Sequence, residues 1–284
     1  MRSFLSDKRI KLSRFLLDKY EGELSFADFN KLIRKKDVKI NGKRVGEDLF
    51  LQEGDAVDVY YDGRKREIDY TVQYFDENIV CAIKPKGIAS EDFFAALKGV
   101  YEPLYFCHRL DVLTDGIMLF ARNEDSYQII LNAFKTHKFE KYYLALVNGI
   151  FTKKQGVLSG YLKKDEINSV VTVFDVAHAG AKPIKTGYKV VSENTEKDIS
   201  LVEIRLFTGR THQIRAHLSH EGHFVLGDGK YGSEKINRIK GFKKLMLTSY
   251  KLVLRFDKEN MLGYLDGKEF VYNDCLLSSF ITDI

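Results

Sequence analysis

Cysteine is scarce in this chain of 284 residues: Cys81, Cys107 and Cys275 are few, widely spaced and odd in number. That argues against a disulfide framework and for a reducing compartment. Long apolar runs are missing too. Met1-Arg2-Ser3-Phe4 leads into charged residues rather than an apolar signal region, and no run approaches the length of a membrane span, so a soluble cytoplasmic protein with no membrane partner is expected. There is no Gly-x-x-x-x-Gly-Lys-Ser/Thr loop, no Gly-x-Ser-x-Gly elbow and no dinucleotide fingerprint. His212, His217, His220 and His223 gather in one region, but they lack the i, i+4 pair with an intervening Glu of a zinc hydrolase helix, and no second cysteine pair closes a structural site. No metal is expected. The chemistry has to come from side chains alone.

Charge of neither sign dominates, with a formal net charge of +5 and a pI near 8.8. This permits nucleic-acid binding without demanding it. The distribution is uneven: residues 1–66 hold 16 Lys and Arg against 12 Asp and Glu, leaving 29 against 28 for the remainder. With 44% hydrophobic content the chain can bury a sizeable core, and its length suits a large domain plus a small one.

The most informative stretch is Cys107-His108-Arg109-Leu110-Asp111-Val112-Leu113-Thr114-Asp115-Gly116, which runs straight into Ile117-Met118-Leu119-Phe120-Ala121. An apolar run after a Thr-Asp-Gly turn reads as a core strand, and loops borne on rigid strands are where catalytic groups sit. Asp111 is the first candidate for chemistry. Upstream, Ile79 to Ile83 reads as a strand that stops at Lys84-Pro85-Lys86-Gly87, where proline removes a ladder donor. Downstream, Asn123 reads as the N-cap of a helix whose Tyr127, Ile130, Leu131 and Phe134 form a core stripe with no chemistry assigned. Lys141 to Gly149 reads as a strand placing Tyr143, Ala145 and Val147 on one face. Ser200 to Phe207 reads as a half-buried strand, followed by Thr208-Gly209-Arg210-Thr211-His212-Gln213-Ile214-Arg215 and a helix that Gly222 terminates.

His-Arg-Leu-Asp with its turn and strand, Lys-Pro-x-Gly, Lys-x-Tyr-x-Ala-Leu-Val-x-Gly and Thr-Gly-Arg-Thr-His-Gln-Ile-Arg together resemble the RluA-type pseudouridine synthases, in the same order. Gly227-Asp228-Gly229-Lys230-Tyr231-Gly232 also fits the family's continuation. The chain departs from the pattern at Val112-Leu113, commonly polar, at Asp115, commonly Ser, and at Thr248-Ser249, where His-Ala is frequent. The resemblance implies an RNA-modifying isomerase in which Asp111 is catalytic, Tyr143 contacts the target base and Arg215 pairs with Asp111. Arg109, Lys84, Arg210, His212 and Gln213 fall on the substrate side. It further implies a flipped-out uridine and a reaction needing neither cofactor nor metal. A carboxylate near the sugar can attack the anomeric carbon or abstract a sugar proton, and the sequence leaves both routes open. A buried carboxylate needs a partner cation, the part given to Arg215.

At the N-terminus, residues 8–20 read as a basic amphipathic helix with Leu12, Phe15, Leu16 and Tyr20 inward. A second helix opens at an N-cap, Ser25, with Asp28 three residues on; Phe26, Phe29, Leu32 and Ile33 are expected inward, and Lys31, Arg34, Lys35 and Lys36 outward. An Asn41-Gly42 hairpin and a Gly54-Asp55 turn into a strand over Ala56–Tyr60 follow. This arrangement resembles the S4 RNA-binding domain, and its basic face would supply phosphate affinity. The expected fold class is α+β: an S4-like domain over residues 1–61, a linker over 62–69, and a catalytic domain over 70–284 with a large mixed, mostly antiparallel sheet. The expected substrate is RNA, foremost large-subunit ribosomal RNA with transfer RNA as the other choice, for a monomer needing no protein partner. The competing reading is a non-catalytic RNA-binding protein that keeps the synthase scaffold.

Overall fold

The computed structural model describes residues 1–21, 23–24, 26–61, 68–165, 170–277 and 280. The chain divides into two compact units, Met1–Glu67 and Ile68–Ile284. Most of the expected linker, residues 62–67, lies outside the described residues, as does the proposed Ser25 cap.

The smaller unit contains β1 (Arg2–Leu5), β2 (Ile10–Lys11), α1 (Leu12–Lys19), α2 (Phe26–Lys35), β3 (Val38–Ile40), β4 (Lys43–Arg44), β5 (Phe50–Leu51) and β6 (Ala56–Val59). Its antiparallel sheet has the order β1-β6-β3-β4, and β2 pairs with β5. The first helix starts at Leu12 rather than Lys8 because Ile10 and Lys11 pair with Leu51 and Phe50. Leu12, Phe15, Leu16 and Tyr20 are buried against Phe29, Leu32 and Ile33 of α2. Phe26 is the exception to the expected stripe. It is 57% exposed at the first turn of α2 and stacks its ring on Phe29 at 5.9 Å. Asn41 and Gly42 take φ of +49° and +78°, the left-handed pair that a two-residue hairpin turn requires.

The larger unit contains β7 (Thr71–Phe75), β8 (Ile79–Lys84), α3 (Ser90–Lys98), β9 (Tyr105–Phe106), β10 (Asp115–Ala121), α4 (Glu124–Lys135), β11 (Glu140–Asn148), β12 (Gln155–Asp165), β13 (Val170–Phe174), β14 (Lys182–Asn194), β15 (Ile199–Leu206), α5 (Gln213–His220), α6 (Glu234–Ile239), β16 (Leu247–Val253) and β17 (Glu269–Val271). Its 11-stranded sheet follows the path β13-β12-β14-β15-β11-β16-β10-β8-β7, with β17 beside β16 and β9 beside β10. The pair β10 and β16 is parallel, and the other described strand pairs are antiparallel. The fold is α+β with a mixed, mostly antiparallel sheet.

Both faces of this sheet are covered around β10. Val80, Ala82, Met118 and Phe120 turn to one side, with Phe93 and Leu97 of α3. Ile79, Cys81, Ile83, Ile117, Leu119 and Ala121 turn to the other, with Ile130 and Ala133 of α4. Alternate residues of a strand face opposite sides, so burial on both leaves no place for a polar residue. The unbroken run Ile117 to Ala121 has this cause. The Asn123 side chain caps α4, accepting from Ser126 N–H at 2.9 Å.

The parallel contact is tight where β10 begins. Gly116 has φ +119°, and a Cβ built on it would stand 2.1 Å from the Ser249 carbonyl oxygen. Gly116→Ala is therefore expected to push β10 from β16 and lower stability by about 2 kcal/mol or more. Chemical denaturation of the variant beside the parent measures this; equal midpoints would show that the strands part without cost.

Candidate active site

Asp111 sits four residues before β10, in a loop tied down from several sides. Ser90, at the start of α3, both donates to the Leu110 carbonyl and accepts from Leu110 N–H, each at 2.9 Å. Thr114 N–H donates to the Asp111 carbonyl at 3.0 Å, and Gly87 N–H donates to the Val112 carbonyl at 2.8 Å. Asp115 lies 3.2 Å from Lys86 and accepts from the Thr248 hydroxyl at 2.8 Å. Two positions where the chain departs from the family pattern, Asp115 and Thr248, are thus bonded to each other. Of the other departures, Val112 and Leu113 are 46% and 44% exposed on the loop's outer side.

Arg215, on α5, is 4% exposed and faces two carboxylates. Its Nε and Nη2 donate to the two oxygens of Asp228 at 2.7 and 2.8 Å, while Nη1 stands 3.6 Å from Asp111 Oδ2. The closer partner is Asp228, fully buried, which also accepts from the N–H groups of Lys230 and Tyr231 at 2.8 and 3.1 Å. Burial by itself would lower the guanidinium pKa, but Asp228 and Asp111 together raise it. Burial likewise pushes the Asp228 carboxyl upward, and Arg215 with those backbone donors more than reverses this. His212 completes the ring of contacts. Its Nε2 is 3.9 Å from Asp111 Oδ2 and its Nδ1 is 2.8 Å from the Tyr231 hydroxyl. Tyr231 also accepts from Val171 N–H at 3.0 Å, which fixes the phenol beside His212. Burial keeps His212 below the usual imidazole pKa despite the pull of Asp111.

Asp111, His212 and Arg215 wall a cavity of about 330 Å³ that Tyr143 and Arg210 also line. Tyr143 comes from β11 and is 8% exposed; burial pushes its phenol pKa up, a hydrogen bond with Ser249 offsets part of this, and the Asp111 charge adds to it. Apolar wall is supplied by Leu110, Leu206, Ile214 and Leu247. Arg109 lies at the rim, its side chain 70% exposed and 3.6 Å from Glu91. Asp111, Tyr143, Arg215, Arg109, Arg210, His212 and Gln213 thus meet around one hollow.

One residue expected on the substrate side has other employment, and another, Gln213, lines the cavity while its amide is engaged by the protein. Lys84 is wholly buried, and its Nζ donates to the carbonyls of Pro85 and Ile88 at 3.0 and 2.8 Å and approaches that of Val112 at 3.4 Å. Burial lowers its pKa to about 8. It holds two loops together and has no face left for substrate. Gln213 is 2% exposed; its Oε1 accepts from Arg210 N–H and the Thr208 hydroxyl, and its Nε2 donates to the Lys185 carbonyl and Thr186 hydroxyl. It sets the loop that carries Arg210. In the smaller unit, Arg34, Lys35 and Lys36 are exposed, while Lys31 is half-buried at 3.7 Å from Asp28.

Sequence reasoning passed over several wall residues. Phe134, assigned to core, lines the cavity and meets the His108 ring at 4.5 Å with the two planes tilted by 34°. His108 accepts from Leu119 N–H at 2.9 Å, and burial drops its pKa to about 3, so it is neutral. Lys141 and His137 also line the hollow. Asp228 is the most consequential omission: the Gly-Asp-x-x-Tyr-Gly pattern was visible, but nothing local pairs it with Arg215.

The sequence of residues 78–220 matches the family described as RNA pseudouridylate synthase. A ribosomal large subunit pseudouridine synthase C from Vibrio cholerae is 28% identical over 233 residues, covering 73% of this chain and 72% of that protein. An uncharacterized RNA pseudouridine synthase from Helicobacter pylori is 33% identical over 189 residues, covering 65% and 71%. Among solved structures, human RNA pseudouridylate synthase domain containing 1 shares the fold with a TM-score of 0.59 at 23% identity, over 76% of this chain and 96% of that one. The fold, the cavity and the matched sequence place the chain in the RNA pseudouridylate synthase family. It is an isomerase that converts uridine in RNA to pseudouridine.

Removing Arg215 would leave Asp228 buried without its cation. Arg215→Ala is expected to abolish turnover and to cost on the order of 3 kcal/mol of stability. Denaturation together with a pseudouridine assay checks both, and a stable, active variant would refute the shared pairing.

Proposed function

We propose that the cavity bounded by Asp111, Tyr143, His212 and Arg215 takes the target uridine and that Asp111 carries out the chemistry, on large-subunit ribosomal RNA. The supporting observation is the placement of one carboxylate at the cavity wall, 3.6 Å from a buried guanidinium that a second carboxylate already holds in position. Isomerisation breaks the N1–C1′ bond, turns the uracil and joins C5 to C1′; the C5 proton is lost and N1 gains one. Atoms balance and no electrons are exchanged. Asp111 acts on the sugar, as nucleophile at C1′ or as base on a sugar proton, and Arg215 offers a fixed opposite charge beside it. Tyr143 packs against the base once the nucleotide has left its stack, and the apolar wall keeps the detached uracil from water.

The ribosomal assignment rests on the name borne by the Vibrio cholerae relative and on the smaller unit, read as S4-like from its two basic helices and hairpin. Its exposed Arg34, Lys35 and Lys36 supply phosphate affinity with little regard to sequence. The protein acts in the cytoplasm as a monomer and needs no protein partner. Mapping pseudouridine in ribosomal and transfer RNA from cells with and without the gene identifies the position; a site lost only from transfer RNA would overturn the ribosomal reading.

Asp111→Asn is nearly isosteric but can act neither as nucleophile nor as base, so turnover on the mapped RNA is expected to disappear while the fold and RNA affinity persist. Wild-type turnover by the purified variant would remove Asp111 from the chemistry. For the smaller unit, replacing Arg34, Lys35 and Lys36 together by Gln is expected to weaken binding to long RNA and to make the slope of log affinity against log salt shallower by about 0.7 to 0.9 per lost phosphate contact. An unchanged slope across a salt series would reduce that face to a solvated surface.

A further inference from the structure

Beside the Asp111 cavity lies a second hollow of about 320 Å³, walled by Glu140, Arg205, Phe207 and Arg255. His137 and Leu206 line both hollows, so the two are neighbours on one surface of the larger unit. The charges in the second are arranged around one carboxylate. Glu140 Oε1 accepts from Arg255 Nε and Nη2 at 3.0 and 2.7 Å, and Oε2 accepts from the Tyr142 hydroxyl at 2.8 Å and stands 3.0 Å from Arg205 Nη2. Two guanidiniums thus share Glu140, with Asp266 and Glu269 adding more distant negative charge on the Arg255 side. Their side chains are 45% and 47% exposed. Each guanidinium carries five N–H donors, and among the described residues Nε and Nη1 of Arg205 and Nη1 of Arg255 have no hydrogen-bond partner.

Ion pairs this exposed add little to stability, and β11 is already held by its backbone ladders to β15 and β16. Glu140 instead fixes the orientation of two forks whose free donors remain available. Phe207 stands beside them with the Arg205 guanidinium 5.1 Å and the Lys185 ammonium 5.0 Å from its ring centre. Gly187 leaves room for that ring: a Cβ there would come 3.0 Å from Phe207 Cε2. Between the hollows, His137 is held below the usual imidazole pKa by burial and then by the positive charges of Lys141 and Arg210. The path from one hollow to the other is electropositive.

We propose that the second hollow is an RNA subsite in which Arg205 and Arg255 hold a backbone phosphate of the strand leading away from the nucleotide at Asp111, while Phe207 stacks an adjacent base. The inference rests on the reading that the Asp111 cavity takes the target nucleotide. A tetrahedral phosphate oxyanion matches paired guanidinium forks, which bind it through charge-assisted hydrogen bonds. A partly exposed aromatic ring next to the guanidiniums suits a base joined to that phosphate, and stacking of this kind tolerates any sequence. Target selection would then depend on the single-stranded reach of the neighbouring nucleotides as well as on the flipped uridine.

The test uses the full chain. Binding of a fluorescent oligouridylate is measured over a salt series for the parent, for Arg205→Gln with Arg255→Gln, and for Phe207→Ala, with thermal denaturation of each. The arginine pair is expected to lower affinity at low salt about fivefold and to make the salt slope shallower by about 0.7 for the lost contact. Phe207→Ala is expected to weaken binding about tenfold with the slope retained, since stacking releases no counterions. Replacing both arginines by Lys should restore the slope but not the whole affinity. Unchanged affinity and slope in the arginine variant, or in Phe207→Ala should the arginine variant not fold, would overturn the subsite. Asp111→Asn measured alongside separates the two readings: turnover by that variant would refute the catalytic assignment, whereas an unaltered salt slope in the arginine variant would refute the subsite alone.

Discussion

Arg215 is the cation on which the site depends. A guanidinium removed from water is costly unless its donors are engaged, and here Asp228 takes two of them in a bidentate pair while the remaining side faces Asp111. The same Asp228 accepts from Tyr231 N–H, and the Tyr231 hydroxyl meets His212, whose other ring nitrogen looks back to Asp111. Asp111 is thus approached by two groups tied to one buried acid. In so enclosed a setting each charge is tolerable only while the others stay in place. Helix α5 and the segment around Asp228 therefore have little freedom to shift independently.

The sheet supplies the rigidity on which this arrangement is built. Asp111 precedes β10, Tyr143 lies on β11, and β16 runs between those strands. Gly116 brings β10 against the Ser249 carbonyl, and Thr248 from the same strand bonds Asp115. Lys84 and Lys86 fasten the preceding loop from below, one to backbone carbonyls and the other to Asp115. The loop that carries Asp111 is held on backbone and buried side chains, so its geometry is set within the protein itself. Around the cavity the balance of charge is positive at the rim, where Arg109 and Arg210 stand, and continues positive to Arg205 and Arg255.

What the sequence determined by itself was local. The apolar run Ile117 to Ala121, the alternation through Val202, Ile204 and Leu206, the Asn123 cap and the Asn41-Gly42 turn each follow from a period or a backbone preference that acts within a few residues, and each recurs in the structure. The motif resemblance carried the family and the residues to examine. Where local reasoning went astray, a partner distant in sequence was the cause. Lys8 to Lys11 stayed out of the helix because Phe50 and Leu51 pair with Ile10 and Lys11. Phe134 packs against the core as its stripe predicts, and it also reaches the cavity wall, where His108 meets its ring. Lys84 has a side-chain type that binds phosphates, yet the fold buries it against carbonyls of other segments. Only tertiary structure decided that Arg215 divides its charge between Asp228 and Asp111. A hydrogen bond depends on a distance of about 3 Å in space, and sequence periodicity carries no information on which distant donor will occupy it.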